Sequence, residues 1–219
     1  MNFDLTGVGK EGSNGAWGIA IAGGKSGHPP HNGLLCKQCR GESISLICLL
    51  QAMQRIESSI TAEAKVLADV QAVLSIIKRL SGQEVDNVQS GIAQIRKIRS
   101  SVYEDINQIQ HEYLILRALR WLLQKGFASE ITWEWNARQT GTANEPDLRG
   151  SLNGMVLISA EASASEKPVG VIDSRMKLTL HKLSQMAGQK YYFVCSDEMA
   201  CRARTKIAKQ DWPTTVVRL

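Results

Sequence analysis

Glu145-Pro146-Asp147-Leu148-Arg149-Gly150 is followed, after Asn153-Gly154, by Met155-Val156-Leu157-Ile158-Ser159-Ala160-Glu161. The second stretch is apolar at nearly every position, which marks a strand covered on both faces and so central in its sheet. Asn153-Gly154 is the turn that leads into it from a weaker strand. A carboxylate ending such a strand is costly to bury without a partner or a metal. Glu161 therefore stands out, whereas Asp147 taken alone is an ordinary turn residue after proline.

The flanks complete an α/β domain. Upstream, Ile131-Thr132-Trp133-Glu134-Trp135 has strand composition and residues 141–144 form a turn. Downstream, a helical period runs from Ile172 to Met186 and closes at Gly188. Tyr191–Cys195 is a third buried strand, in which Cys195 packs into the core. A basic helix covers Ala200–Gln210, and Thr214–Arg218 is a last strand. The expected architecture is a mixed sheet flanked by helices over residues 126–219, with a leading helix from about residue 108.

Residues 44–125 follow a different rule. Leu46, Leu49, Met53, Ile56, Ile60, Leu67, Val70, Leu74 and Ile77 are spaced by threes and fours, with Glu63 alone breaking the stripe. After Ser81-Gly82 the pattern resumes at Val85, Val88, Ile92, Ile95, Val102, Ile106, Ile109, Tyr113 and Leu116, with Arg99 in the skipped slot. Such a seam predicts a long antiparallel helical hairpin, a coiled coil with helices of about 55–60 Å each. It pairs with itself and offers a surface to another coiled-coil protein or to a second copy. The apolar positions thicken from Leu114 to Leu123, where the helix starts to cover a sheet, and Gly126 is its C-terminal stop.

Residues 1–43 hold 10 of the 18 glycines and no helical period, and so read as a glycine-rich arm. Within it His28, His31, Cys36 and Cys39 supply four ligand types suited to tetrahedral zinc. The competing reading is an arm with incidental cysteines. Gly23-Gly24-Lys25-Ser26 is not a phosphate-binding loop, because Ile19 stands where the first glycine is required.

The 219 residues, 43% hydrophobic and 21% charged, suit one or two globular domains and exclude wholesale disorder. No apolar run is long enough to span a bilayer, the first residues lack a secretory pattern, and five scattered cysteines make no disulfide framework. The expectation is a cytoplasmic protein with no membrane partner. The net charge of +5 permits contact with DNA without demanding it.

Pro146-Asp147, thirteen intervening residues and then Glu161 at the end of an apolar strand resemble the PD-(D/E)XK superfamily, the restriction-endonuclease-like nucleases. The resemblance extends over residues 108–219. It implies that Asp147 and Glu161 are Mg²⁺ ligands, with Glu112 on the leading helix as a third acid. It also implies a lysine two residues after the second acid, on the same strand face. Here that position is Ser163, and a hydroxyl cannot supply the charge. Either the cation has moved, to Lys177 or Lys182 on the next helix or to Lys167 in the loop, or the site is degenerate. Gln185 reads as a solvated helix residue that some family members direct to the site.

The resemblance implies a Mg²⁺-dependent DNA nuclease, or a nuclease-like subunit, in a DNA-processing or defence assembly. Its alternative is an inactive domain of the same fold that binds DNA or protein through the coiled coil. Arg175, Arg202, Arg204, Lys206 and Lys209, with Lys177 and Lys182, are the candidate phosphate-contacting face.

Overall fold

The protein is described from a computed structural model that covers residues 53–127, 130–137 and 144–219. The arm, with its His28, His31, Cys36 and Cys39 cluster, and the first seam residues Leu46 and Leu49 lie outside the described residues.

The described elements, in chain order, are β1 (Gln54–Arg55), α1 (Ser59–Ser81), α2 (Val88–Gln124), β2 (Thr132–Trp135), β3 (Leu148–Leu152) and β4 (Met155–Ser163). They continue as α3 (Val171–Ser184), β5 (Gln189–Val194), α4 (Asp197–Gln210) and β6 (Thr214–Arg218). The six strands form one mixed sheet in sequential order. β1 to β4 are antiparallel neighbours, while β5 and β6 extend the sheet in parallel after helical crossovers. The architecture is thus mixed α/β, and the strands expected from aromatic and β-branched content fall where the sequence puts them.

The sheet separates two cores. Ile158 and Ala160 join the C-terminal half of α2, where Ile115, Leu116, Leu119 and Leu122 are buried, together with Trp133, Trp135 and Phe193. On the opposite sheet face Tyr192 and Val194 meet Met176, Leu180 and Leu183 of α3 and Met199 of α4. Ser159 and Glu161 have the parity of this second face. Strand period alone therefore sends the carboxylate that ends β4 toward α3.

The helical pair departs from the expected hairpin in three ways. First, α1 begins at Ser59 and not near Leu46. The Ser58 hydroxyl caps it by accepting from the Thr61 amide at 3.1 Å. The residues before it go to the sheet: Gln54 and Arg55 pair with β2, and the Ile56 amide donates to the Trp133 carbonyl at 2.8 Å. Met53 and Ile56 are thus apolar because they cover a sheet edge, and a three-four spacing over so short a run cannot distinguish that from a helix. Second, the helices are unequal, 23 residues against 37. They run antiparallel, since Glu63 pairs with Arg120, Lys65 with Glu112, and the Leu80 carbonyl with Gln94 near the connection.

Third, the face of α1 that packs inward is Ala62, Val66, Val73 and Leu80. The expected seam residues Ile60, Leu67 and Leu74 remain 78%, 57% and 58% exposed. On α2, Val102 and Leu116 are buried while Val88, Ile92 and Ile95 are not. The predicted stripe on α1 is thus split: Val70 and Ile77 are half-buried beside the inward face, while Ile60, Leu67 and Leu74 turn away from it.

Candidate functional site

Asp147 immediately precedes β3 and Glu161 lies near the C-terminal end of β4, and both line one cleft of about 1290 Å³. Its walls are α2, with Asn107, His111 and Arg117, and α3, with Arg175 and Lys182. The stretch from Glu161 to Glu166 and Tyr192 also line it. Asp147 is 6% and Glu161 5% exposed, so neither is an ordinary surface acid. Asp147 Oδ2 accepts from the Ala162 amide at 2.8 Å and faces His111 Nε2 at 3.1 Å. The antiparallel pairing of Leu148 with Ala160 brings the two acids together, because it sets the start of β3 against the end of β4.

Lys182, in the last turn of α3, reaches back to the sheet. Its Nζ lies 2.6 Å from Glu161 Oε1 and donates to the Glu145 carbonyl at 3.1 Å. By distance the first contact is an ion pair. Ser163 points its hydroxyl at Tyr192, another side chain of the cleft. Burial, partly offset by that hydroxyl, pushes the Tyr192 phenol up to about 12.

Among the other candidates, Glu112 is completely buried but turned away from Asp147. It faces α1, where Lys65 lies 2.6 Å away, and Gln108 donates to it at 3.4 Å. Neighbours on a helix point about 100° apart, so when Glu112 faces α1 its neighbour His111 faces the cleft. His111 is the residue of α2 that meets Asp147, and the sequence offered no sign of which of the two would. Lys177 and Lys167 are exposed and do not line the cleft, and Gln185 is exposed at the end of α3. Of the proposed phosphate contacts, Arg175 lines the cleft. Arg202 and Lys206 are taken by Asp173 at 2.7 and 3.0 Å, which ties α4 to α3 and holds the Asp173 carboxyl well below the usual range. Arg204 and Lys209 are exposed on α4.

Burial, reinforced by the neighbouring Asp147 charge, raises the Glu161 carboxyl to about 8 despite the opposing pull of Lys182. Burial disfavours a charged His111, but Asp147 outweighs it and the imidazole is raised above its ordinary value. In both groups the native state holds protons that the unfolded chain releases, so stability falls as pH rises from the unfolded carboxylate range toward 8. We expect the protein without added metal to lose a few kcal/mol between mildly acidic pH and pH 8, and Glu161→Gln to flatten most of that slope. Chemical denaturation across pH measures this. A wild-type stability that climbs over the same interval would contradict it.

The donor set fits a hard divalent cation. Asp147 and Glu161 offer nearly buried carboxylate oxygens in one cleft, the donors such an ion takes. Among the described residues no group of three or more His, Cys, Asp and Glu side chains forms a ready cage. Magnesium often relies on one or two carboxylates, with water and substrate phosphates completing its shell. Among the described residues no helix is long and apolar enough to cross a membrane. Comparison with protein-family models, with curated proteins and with solved structures found no match to this chain.

Proposed function

We propose that the chain is a Mg²⁺-dependent DNA nuclease, or a nuclease-like subunit of a DNA-processing or defence assembly, with a restriction-endonuclease-like domain. The observation that carries this reading is Lys182 Nζ at 2.6 Å from Glu161, in the cleft that also holds Asp147. A cation supplied from α3 stands in for the lysine that Ser163 replaces. Asp147 and Glu161 would hold the Mg²⁺, which when bound supplies Lewis-acid stabilisation of a scissile phosphate and lowers the pKa of a water. The Ala162 amide and His111 orient the Asp147 carboxylate. Lys182 brings fixed positive charge to where the phosphate becomes more negative. Arg117 and Arg175, on opposite walls, are placed to hold the DNA backbone.

The test is cleavage of plasmid and linear DNA by the full chain with Mg²⁺ or Mn²⁺. Asp147→Asn and Glu161→Gln are each expected to reduce cleavage by more than about 100-fold while DNA affinity, measured separately, persists. Equal cleavage by wild type and both variants would reject the assignment.

A specific observation favours a second reading, an inactive domain of the same kind that serves as a DNA-binding or assembly subunit. His111 against Asp147 and Lys182 against Glu161 already balance the two acids without a metal. DNA bound but never cleaved with either ion, and equally well by the two variants, would select this reading.

A further inference from the structure

Helix α1 is apolar on two sides, and the described residues cover one of them. Ala62, Val66, Val73 and Leu80 face inward, and Ile60, Leu67 and Leu74 recur at intervals of seven on the other side. The residues exposed beside them are Thr61, Ala64, Ala68, Gln71, Ala72 and Ser75. From Ile60 to Ser75 the one charge at the edge of this face is Glu63, whose side chain is 42% exposed and paired to Arg120 of α2. The outer surface of α2, by contrast, shows Arg96, Lys97, Arg99 and Glu104. A solvated helix face is normally charged, and a helix apolar on both sides is normally covered on both.

We propose that a second copy of this chain covers the outer face of α1, in an antiparallel two-fold dimer. The charges that bound the neutral stretch identify the occupant. Exposed Glu57 precedes the helix and exposed Lys78 and Arg79 end it. Parallel pairing would set like charge against like, whereas antiparallel pairing sets Lys78 and Arg79 of each copy toward Glu57 of the other. It also opposes the two helix dipoles. A two-fold interface must match itself, and a neutral apolar centre between ends of opposite sign does. Leu67 projects beside Ala64 and Ala68, whose small side chains leave room for large ones from the facing helix. This inference is independent of the nuclease reading, since no residue of the cleft takes part.

The experiment is analytical ultracentrifugation of the full-length chain from sub-micromolar to tens of micromolar. Wild type is expected at twice its 24.1 kDa mass at the upper end. Leu67→Glu would bury two charges at the centre of the dimer and is expected to lower its affinity by at least about 100-fold. Circular dichroism and the melting point of the monomer should not change, because Leu67 is exposed within one chain. Glu57→Lys and Lys78→Glu should each weaken the dimer several-fold, and the double variant should recover it. A wild type that stays monomeric, or a dimer untouched by Leu67→Glu, would overturn the proposal. So would a Leu67→Glu chain with reduced helix content or melting point, which would mean that the face is packed within its own chain. Charge reversals without recovery in the double variant would overturn the antiparallel arrangement.

Discussion

Lys182→Ala should abolish Mg²⁺-dependent DNA cleavage, a fall of about 10²–10⁴-fold in single-turnover rate, while Lys177→Ala leaves the rate unchanged. The two lysines share one helix, yet five residues of helix turn the second well away from the first. Lys182 is held by Glu161 and by the Glu145 carbonyl, and so meets the cleft with little freedom left to lose. Lys177 is exposed and outside the cleft lining. A cation at the reacting phosphate acts mainly on the transition state, so DNA affinity should change far less than rate. Removing Lys182 also takes away the cation that opposes burial at Glu161, and so can alter stability as well as rate. The melting point is therefore measured beside the rate, and Lys182→Met, which keeps the aliphatic stem, separates packing from charge. Cleavage by the folded Lys182→Ala chain at the wild-type rate would remove this residue from the mechanism.

Gly188→Ala should be the most damaging single methyl added to the domain, costing about 3 kcal/mol or more. Gly188 links α3 to β5 with φ +76, a conformation that side chains resist. A Cβ there would stand 2.4 Å from both the carbonyl carbon and oxygen of Leu157 and 2.8 Å from the Ile158 amide nitrogen. These are backbone atoms of the central strand and cannot swing aside as a flexible side chain would. Relief requires β5 to part from β4, where Gln189 pairs with Ile158. It would also disturb the Ser159 hydroxyl bond to the Ala187 carbonyl at 2.8 Å. Thermal and urea unfolding report the loss, and a variant as stable as wild type would show that this approach is looser than described. Because α3 carries Lys182, any surviving fold should also show a weakened site.

The legible parts of this protein were those set by local rules. β4 was evident because an apolar run bounded by a turn has few other uses, and Glu161 because a carboxylate ending that run needs a partner. The end of α2 was readable from Gly126, which takes φ +85 just past the helix. The start of α1 was misread, because Met53 and Ile56 keep helical spacing while serving the sheet edge, and periodicity records that a residue is covered without recording by what. The inward face of α1 was missed for the same reason: two apolar stripes share the helix, and only packing against α2 and the sheet selects between them. Tertiary structure alone decided that His111 and not Glu112 meets Asp147, since that depends on the rotation of α2 over the sheet. It alone chose Lys182 over Lys177 and Lys167, because the distance from a helix side chain to a strand carboxylate is fixed by how α3 docks. Sequence by itself determined which groups needed partners; the docking of α1, α2 and α3 decided who the partners are, because contacts between elements depend on rotations and offsets that no local pattern encodes.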